Sequence, residues 1–451
     1  MVSQLRFEVI LFLSLCATTI AQAQTSPPEM HLTLPQAIDI ALKQNRNLVL
    51  VRLAVLSSEN KKTIARSYYF PEIHNSSTVL HITELTHIVV PQDSLEVGGI
   101  PLPSHDTVIS QGALDTYTSG TQLVQPITQA FKIHASNQAA TADIHLAQIQ
   151  ETQAENQIAL KIRELYYGIL ISRLKQKAAQ EDLKVSQAKQ QEAGAAIQNG
   201  SALEVSSLEA RAGMLNAQQA ILTLTQQEED ATLTLVNVLG LPLSTHLLIE
   251  PDSSADTEEN PLPDRSEGLR LAQEKNTEVR AAREKVMKAR AGVAVARSAY
   301  IPDITGLARY SYQSGIPFLV HNFGSFGANF NFDLFEGGRR SAQMHDAQVQ
   351  LELAQTDLSR LQDDVAVQVE SAYNKLERVE SLVTVLSELA KVRDEAARIV
   401  DRQYEQSTIL ASDRSQAHAQ AAAAEANLLE AKLSLALARN DLKQTIGIVP
   451  R

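Results

Sequence analysis

Residues 65–73 read ARSYYFPEI, and residues 296–304, which lie 231 positions later, read ARSAYIPDI. Further along the chain the offset is 207 positions, where VLGL at 238–241 pairs with TIGI at 445–448. The first copy therefore carries 24 extra residues between positions 71 and 126. A tandem repeat of two such long units predicts a pseudo-symmetric assembly rather than a single catalytic cleft.

The composition of the longest segments predicts very long helices. Proline is absent between 127 and 241 and again between 318 and 449, and strong helix formers dominate both stretches. Each copy is predicted to run helix, strand, strand, very long helix, helix. The predicted segments are 36–69, 72–85, 114–125, 127–198 and 201–239 in the first copy, and 265–299, 303–312, 323–333, 336–406 and 408–446 in the second.

The predicted helix lengths indicate a wall of constant height. At 1.5 Å per residue, segment 127–198 would span roughly 110 Å, whereas 36–69 and 201–239 would span roughly 50 and 60 Å. One long helix is thus as tall as two shorter helices that are stacked end to end.

The strands of the second copy have the period of a membrane-spanning strand. Apolar residues alternate with polar ones and glycine from Ser325 to Leu334, over about ten residues. A soluble hairpin with one buried face has the same pattern. Four strands cannot close a barrel, and open strand edges are not tolerated in lipid, so a barrel would need several chains.

The beginning of the chain predicts secretion. An apolar run at 9–20 and the small-x-small motif at 21–23 are typical of a signal peptide over residues 1–23, with an uncleaved anchor as the alternative. Cys16 would be acylated in a lipoprotein, but Leu15 stands where such sites normally have a small residue. The net charge of −12 disfavours nucleic acid as a partner.

Several motifs that recur in register resemble those of the TolC-like outer membrane efflux proteins. The resemblance covers essentially the whole chain after the predicted leader. The motifs are Leu34-x-x-Ala37, Ala41-x-x-x-Asn45, Leu271-Ala272-x-x-x-Asn276, the Tyr-x-Pro that precedes each first strand, Phe335-Glu336-Gly337-Gly338-Arg339 and Leu239-Gly240-Leu241-Pro242.

The resemblance implies a mainly α-helical homotrimer in the outer membrane of a Gram-negative bacterium. Four strands per chain would form one twelve-stranded transmembrane β-barrel above an α-helical tunnel that spans the periplasm. Such proteins act as exit ducts of tripartite efflux pumps or type I secretion systems, with a periplasmic adaptor, an inner-membrane pump, membrane lipid and exported substrate as partners. The expected organisation is repeat one over 24–245, an acidic linker over 246–264 and repeat two over 265–451.

A different class of protein remains open from the residues alone. A periplasmic coiled-coil adaptor or scaffold would explain the helices without a pore. No phosphate-binding glycine loop, zinc-protease motif or nucleophile elbow is present in the sequence, so neither an enzyme nor a cofactor is expected. The cluster of His74, His81, His87 and His105 could be read as a metal site, but His74 and His81 would face opposite sides of one strand. Histidines that face solvent or the lumen are therefore expected, and no metal site is predicted.

The two helix turns hold the candidate functional residues. The turns with Gly200 and Ser201, and with Ser407 and Thr408, are expected at the periplasmic tips, where the resemblance places the docking of adaptors or pumps. Ser201 and Thr408 are also suitable helix N-caps. By the same resemblance, Asp413 would form an acidic ring at the tunnel entrance. A ring of carboxylates would attract cations, although an exposed Asp beside a basic residue is usually just solvated.

One further gate candidate precedes the second turn. Tyr404 corresponds to the family's tyrosine at this place and would tether the closed gate. It also continues the apolar stripe of the long helix through Ala397 and Val400, which is the alternative role.

Overall fold

The computed structural model describes residues 29–85, 87–98, 100–110, 112–200, 204–250, 261–316 and 319–448. The predicted signal peptide, Ser201 and most of the acidic linker lie outside these ranges. The helices are α1 (Leu34–Gln44), α2 (Arg46–Ser67), α3 (Ala130–Gln198), α4 (Glu204–Leu239), α5 (Arg265–Lys275), α6 (Thr277–Ser298), α7 (Arg339–Glu405) and α8 (Ala411–Thr445). The strands are β1 (Glu29–Leu32), β2 (Glu72–His81), β3 (His87–Val90), β4 (Leu95–Val97), β5 (Ile100–Leu102), β6 (Thr107–Ser110), β7 (Asp115–Pro126), β8 (His246–Ile249), β9 (Asp303–Ser314) and β10 (Asn322–Asn331).

The four strands predicted from the two copies form one antiparallel sheet. Its order is β10-β9-β7-β2, so the first and second copies meet where β7 pairs with β9. Within the chain, β2 and β10 pair on one side only, and each is ten residues long. The sheet therefore ends in two free edges of equal length, one from each copy.

The sequence of 86–113, with Gly98-Gly99 and three prolines, predicts an external loop, and the described residues of this segment contain two strand pairs. β3 pairs with β6, and β4 pairs with β5, so the hairpin of β2 and β7 continues as a narrow ribbon. β-Branched residues fill its longer ladder, in which Ile88 faces Ile109 and Val89 faces Val108. The sequence analysis did not predict these strand pairs, because turn residues separate the short β-prone runs.

The helices form a curtain in which each long helix packs along two shorter ones. Near the sheet, neighbouring helices follow the order α2–α3–α6–α7; at the opposite end they follow α4–α3–α8–α7. With 69 and 67 residues, α3 and α7 each span about 100 Å. Along α3, the shorter helices α2 and α4 have 22 and 36 residues and together span about 87 Å, which is less than the long helix because the predicted segment 36–69 is divided.

Two segments that were predicted as single helices are broken at an asparagine. Segment 36–69 divides into α1 and α2 at Asn45, and segment 265–299 divides into α5 and α6 at Asn276. The Asn45 side chain accepts hydrogen bonds from the backbone amides of residues 47 and 48, while its Nδ2 donates to Val238 O at 2.7 Å. Asn276 caps α6 in the same way and donates to Thr445 O at 2.8 Å. The prediction was wrong because a tertiary contact to the end of a distant helix favours the cap.

The core lies at mid-height, around two equivalent tyrosines. Tyr166 is fully buried, and its hydroxyl donates to the backbone carbonyls of Leu32 and Glu250. Tyr373, 207 positions later, donates to Pro263 O at 2.7 Å and to Asp264 O at 3.0 Å. The expected linker thus begins in an ordered strand, because β8 pairs in parallel with β1 beside this core.

None of the helices in the described part of the chain is both long and apolar enough to cross a bilayer.

Candidate gate and docking site at the helix turns

The first helix turn follows α3 and closes on a glycine. Gly200 has a φ of +68°, and its amide donates to Ile197 O at 3.0 Å. A Cβ added at Gly200 would meet no atom within 4 Å, so only the backbone conformation disfavours a side chain here. The turn has the left-handed ending that is common at helix C-termini. Ser201 lies outside the described residues.

The second turn adopts the same left-handed conformation without a glycine. Ser407 has a φ of +55°. Its amide donates to Tyr404 O at 2.8 Å, and the amide of Thr408 donates to Gln403 O at 3.1 Å, which is the hydrogen-bond pattern of a Schellman motif. The Thr408 hydroxyl also donates to Gln403 O at 2.8 Å. Thr408 therefore closes the preceding helix.

The role of Thr408 as an N-cap was predicted wrongly. The following helix begins at Ala411 with Leu410 as its N-cap residue. The hydroxyl that would cap this helix is already bonded to the helix before it, so the turn is longer than the sequence suggested.

A polar cluster joins α7 to α8 directly above the second turn. Arg414 Nε donates to Asp401 Oδ1 at 2.7 Å, and His418 Nε2 lies 2.9 Å from the same oxygen. The Arg414 guanidinium also stacks over the Tyr404 ring, 5.1 Å from its centroid. We call Asp401, Tyr404, Arg414 and His418 the turn clasp.

The electrostatics of the turn clasp favour an ionised carboxylate. The hydrogen bonds with His418 and Arg414 lower the pKa of Asp401 below its ordinary value and outweigh the opposing effect of burial. The same carboxylate raises the pKa of Arg414. The clasp can therefore hold α7 and α8 together by charge wherever Asp401 is ionised.

A second contact joins α8 to the first copy. Glu192 on α3 accepts a hydrogen bond from the Ser412 hydroxyl at 2.8 Å and one from the Ser412 amide at 3.3 Å. Ser412 is buried, and its amide is among those that the first turn of α8 leaves without an intrahelical partner. The start of α8 is thus held by α7 on one side and by α3 on the other.

The candidate gate residue Asp413 lies next to these contacts. It is exposed in the first turn of α8, where the helix dipole favours a negative charge. Arg414, its neighbour in sequence, points its guanidinium to Asp401 and Tyr404. The structure brings Tyr404, Ser407, Thr408 and Asp413 into one region. Gly200 occupies the corresponding turn of the first copy.

The chain matches the family model for outer membrane efflux proteins over residues 37–241 and 268–448. The chain belongs to the outer membrane efflux protein family. As a family member, it is an efflux channel protein of the Gram-negative outer membrane. No curated protein sequence matches the chain.

Solved structures share the fold at low sequence identity. A membrane protein from Pseudomonas aeruginosa is 17 % identical with a TM-score of 0.72, and the match covers 92 % of this chain and 93 % of that one. The outer membrane protein VceC from Vibrio cholerae is 16 % identical with a TM-score of 0.67, covering 92 % and 96 %. The open state of the MtrE channel from Neisseria gonorrhoeae is 18 % identical with a TM-score of 0.68, covering 92 % and 89 %. The family is one of efflux proteins, which is consistent with the expected absence of catalysis.

Sequence reasoning missed Asp401, His418, Glu192 and Ser412. Asp401 and His418 are separated by a turn, and Glu192 and Ser412 lie in different copies, so no local spacing relates them. Among the histidines of the first strand and loop, His81 lies 2.7 Å from Asp115 on the neighbouring strand. Within the described ranges no group of three potential metal ligands occurs.

Proposed function

We propose that this channel is the passive exit duct of a tripartite efflux pump or a type I secretion system. The observation that carries the proposal is a four-stranded sheet with two free edges at one end of a helical curtain about 100 Å tall. In lipid every backbone polar group needs a partner, so both edges must be paired by other copies. A homotrimer would close twelve strands into one barrel.

In this arrangement the two copies of the sequence, 24–245 and 265–451, lie side by side and form adjacent parts of the channel wall. The sheet lies in the outer membrane, and the helices below it enclose a tunnel across the periplasm. The helix turns then lie at the inner end. Substrate would pass through the lumen, while energy comes from the inner-membrane pump.

The turns serve two purposes in this proposal. Gly200, Ser201, Ser407 and Thr408 form the tips on which a periplasmic adaptor or the pump docks. Asp413 from three copies forms an acidic ring at the tunnel entrance, where like charges repel one another and attract cations. Tyr404 stabilises the closed arrangement, and its stacking on Arg414 within the turn clasp supports this role.

Single-particle imaging of the protein, extracted in detergent from the outer membrane fraction, tests the duct. We expect threefold particles with a detergent belt at one end and a hollow stalk on the order of 100 Å long. Soluble particles without a belt or a central hollow would overturn the duct and favour the periplasmic scaffold.

Conductance in planar bilayers tests the acidic ring separately. Asp413→Asn should lower the preference for cations, because three negative charges are removed from the narrowest part of the path. Asp394→Asn is the matched control, since Asp394 is exposed on α7 and pairs with Arg398 at 2.8 Å. Unchanged selectivity and conductance in Asp413→Asn would remove the gate role.

A further inference from the structure

A single arginine lies in the middle of the four-stranded sheet. Arg309 is the seventh of the twelve residues of β9, and its side chain is exposed. No ion pair within the described ranges includes Arg309. A guanidinium without a carboxylate at the centre of a membrane-spanning strand needs water or an anion beside it, because its charge is costly to remove from a polar environment.

The strand pairing shows which side chains lie on the same face as Arg309. Residues that lie opposite each other on neighbouring strands point to the same side of a sheet. Arg309 lies opposite Gln122 on β7 and Ser325 on β10, and Gln122 lies opposite His74 on β2. These four residues therefore form one line across the whole sheet, with a polar side chain on every strand. We call His74, Gln122, Arg309 and Ser325 the polar row.

The other face of the sheet carries exposed aromatic side chains. Tyr310, Phe326 and Phe330 expose 57, 95 and 64 % of their surface, and the strand pairing places all three on the face opposite to the polar row. In a transmembrane barrel the apolar face contacts lipid, and an arginine at the middle of the membrane is strongly disfavoured on that face. In the homotrimer proposed above, the polar row therefore faces the lumen.

Gly120 provides the space that the Arg309 guanidinium occupies on this face. A Cβ added at Gly120 would lie 2.9 Å from Arg309 Nη2 and 3.2 Å from Arg309 Nε, so a side chain here would displace the guanidinium. Gly120 belongs to β7, and the guanidinium thus lies toward β7 and away from β10. Because β10 is the edge that pairs with the next copy in the proposed trimer, Arg309 points away from that copy.

The two carboxylates on this face of the four strands lie far from Arg309. Asp303 is six residues earlier on the same strand, roughly 20 Å away. Glu72 lies opposite Val124, and Val124 lies opposite Leu307, so Glu72 is two strands and two residues away from Arg309. That separation is roughly 12 Å between backbones. The positive charge of Arg309 is therefore available to solutes in the lumen.

We propose that Arg309 from three copies forms a basic ring inside the barrel, and that this ring binds organic anions with carboxylate or phosphate groups as they leave the duct. The inference rests on the homotrimer proposed above and adds a charged site at the end opposite to Asp413. A guanidinium presents a fork of N–H donors that matches the oxygens of a carboxylate or a phosphate. Rings of arginine are suited to anion selection in pores.

The dimensions of the barrel allow the ring to act across the lumen. Twelve tilted strands about 4.8 Å apart give a barrel radius on the order of 12 Å. Each guanidinium extends inward from this wall, so it lies within about one Debye length of the axis at 0.1 M salt, where that length is about 10 Å. An anion on the axis is therefore attracted by all three charges at once.

Reversal potentials in planar bilayers under a potassium chloride gradient test the ring. Arg309→Gln should raise the ratio of potassium to chloride permeability by at least about threefold at 0.1 M salt, because three positive charges leave the lumen. The change should shrink at 1 M salt, where the Debye length is about 3 Å. Its sign is opposite to that expected for Asp413→Asn. An unchanged ratio at 0.1 M salt would overturn the ring.

Thiol chemistry tests the position of the charge in the assembled channel. The one cysteine of the chain, Cys16, lies in the predicted leader, so Arg309→Cys introduces one further thiol per chain. A methanethiosulfonate that carries a trimethylammonium group forms a disulfide with this thiol and releases methanesulfinate. The positive charge returns to the lumen, and the permeability ratio should fall toward its original value. A reagent that carries a sulfonate should raise the ratio further.

The matched control for the thiol experiment is Ala308→Cys. Ala308 is exposed and adjacent to Arg309, but it lies opposite Phe326 on the lipid face of the sheet. Neither reagent should change the permeability ratio of this variant, because a charge outside the barrel does not act on ions in the lumen. Equal responses of Ala308→Cys and Arg309→Cys would overturn the assignment of the lumen face.

Citrate, which carries three carboxylates, is the probe for binding. The original channel should lose half of its conductance at a citrate concentration at least about tenfold lower than Arg309→Gln needs, because the bidentate contacts are absent from the variant. Equal block of both channels would overturn the binding of organic anions at Arg309.

Native mass spectrometry of the same samples separates this proposal from the duct itself. A mass of three chains and open channels, with no effect of Arg309→Gln on selectivity or on citrate block, would refute the ring and leave the homotrimer standing. A mass of one chain without conductance would refute the homotrimer and, with it, the lumen that the ring requires. A conducting trimer with the expected changes supports both.

Discussion

The two helix turns at the tip both reverse the direction of the chain, but they are stabilised in different ways. Both reverse the chain through a left-handed residue, with a φ of +68° at Gly200 and +55° at Ser407. Glycine adopts this conformation without steric cost, whereas serine does not. The second turn compensates with the Thr408 hydroxyl bond and with the turn clasp above it. Its shape therefore depends on side chains, while the shape of the first turn depends on the backbone.

Asp401→Asn, which removes the charge on which the turn clasp depends, should have one of the two largest effects. We expect the free energy of local opening at the second turn to fall by about 1 kcal/mol, a value reduced by solvent screening of the partly exposed pair. Hydrogen exchange over residues 398–418 measures it, with the first turn as internal reference. Asp394→Asn, which breaks an exposed pair on the same helix, should have little effect. Equal protection in both variants would show that the clasp is not a stabilising contact.

Exchanging the residue types of the two turns should reduce the difference between them in backbone strain. Gly200→Ser imposes left-handed strain on the first turn and should destabilise it by about 1 kcal/mol, because no clash adds to the strain. Ser407→Gly relieves the second turn and should stabilise it by several tenths of a kcal/mol, about 0.5. Local hydrogen exchange measures both. If Ser407→Gly destabilises its turn, then the serine conformation is not strained.

Thr408→Val should have a smaller effect that is limited to the second turn. The substitution keeps the shape of the side chain and removes the hydroxyl that donates to Gln403 O. Because the Thr408 amide still bonds the same oxygen, we expect a loss of about 0.5 kcal/mol in local stability. Faster hydrogen exchange of the backbone amides in the last turn of α7 would show this loss of stability. A loss as large as that of Asp401→Asn would contradict this order.

Acid should loosen the second turn but not the first. The pKa of Asp401 is lowered in the folded chain, so its contribution is fully present above the ordinary value of 3.8 and is lost as the pH falls through the lowered pKa. Hydrogen exchange corrected for its intrinsic pH dependence should show stable protection at neutral pH and a decline only at acidic pH. Asp401→Asn should abolish the difference between the turns. Its persistence in that variant would assign the acid response to other groups.

The regular parts of the fold followed from periodicity. The proline-free stretches 127–241 and 318–449 predicted the long helices α3 and α7, and alternation predicted the bounds of β9 and β10 to within two residues. These features depend on local pattern, which a single sequence contains.

The missed features depend on contacts between distant residues. In the sequence alone, Asn45 fits a continuous helix, and its role as a cap depends on the hydrogen bond to Val238 O. Asp401 belongs to the turn clasp only through Arg414 and His418, which lie on the next helix. The structure places Tyr404, Ser407, Thr408 and Asp413 in one region, while their roles stay predictions. The contacts that hold them were not visible, because neither helix spacing nor composition encodes them.

The parallel pairing of β1 with β8 has a consequence for the order of folding. Its two strands flank essentially the whole first copy. β1 can pair only after the chain up to β8, which follows α4, has been synthesised and lies beside it. Closing so long a loop is slow unless the intervening helices form first. The strand pair thus joins the two ends of the first copy, and its formation is expected to be fastest when the helices between its strands have already formed.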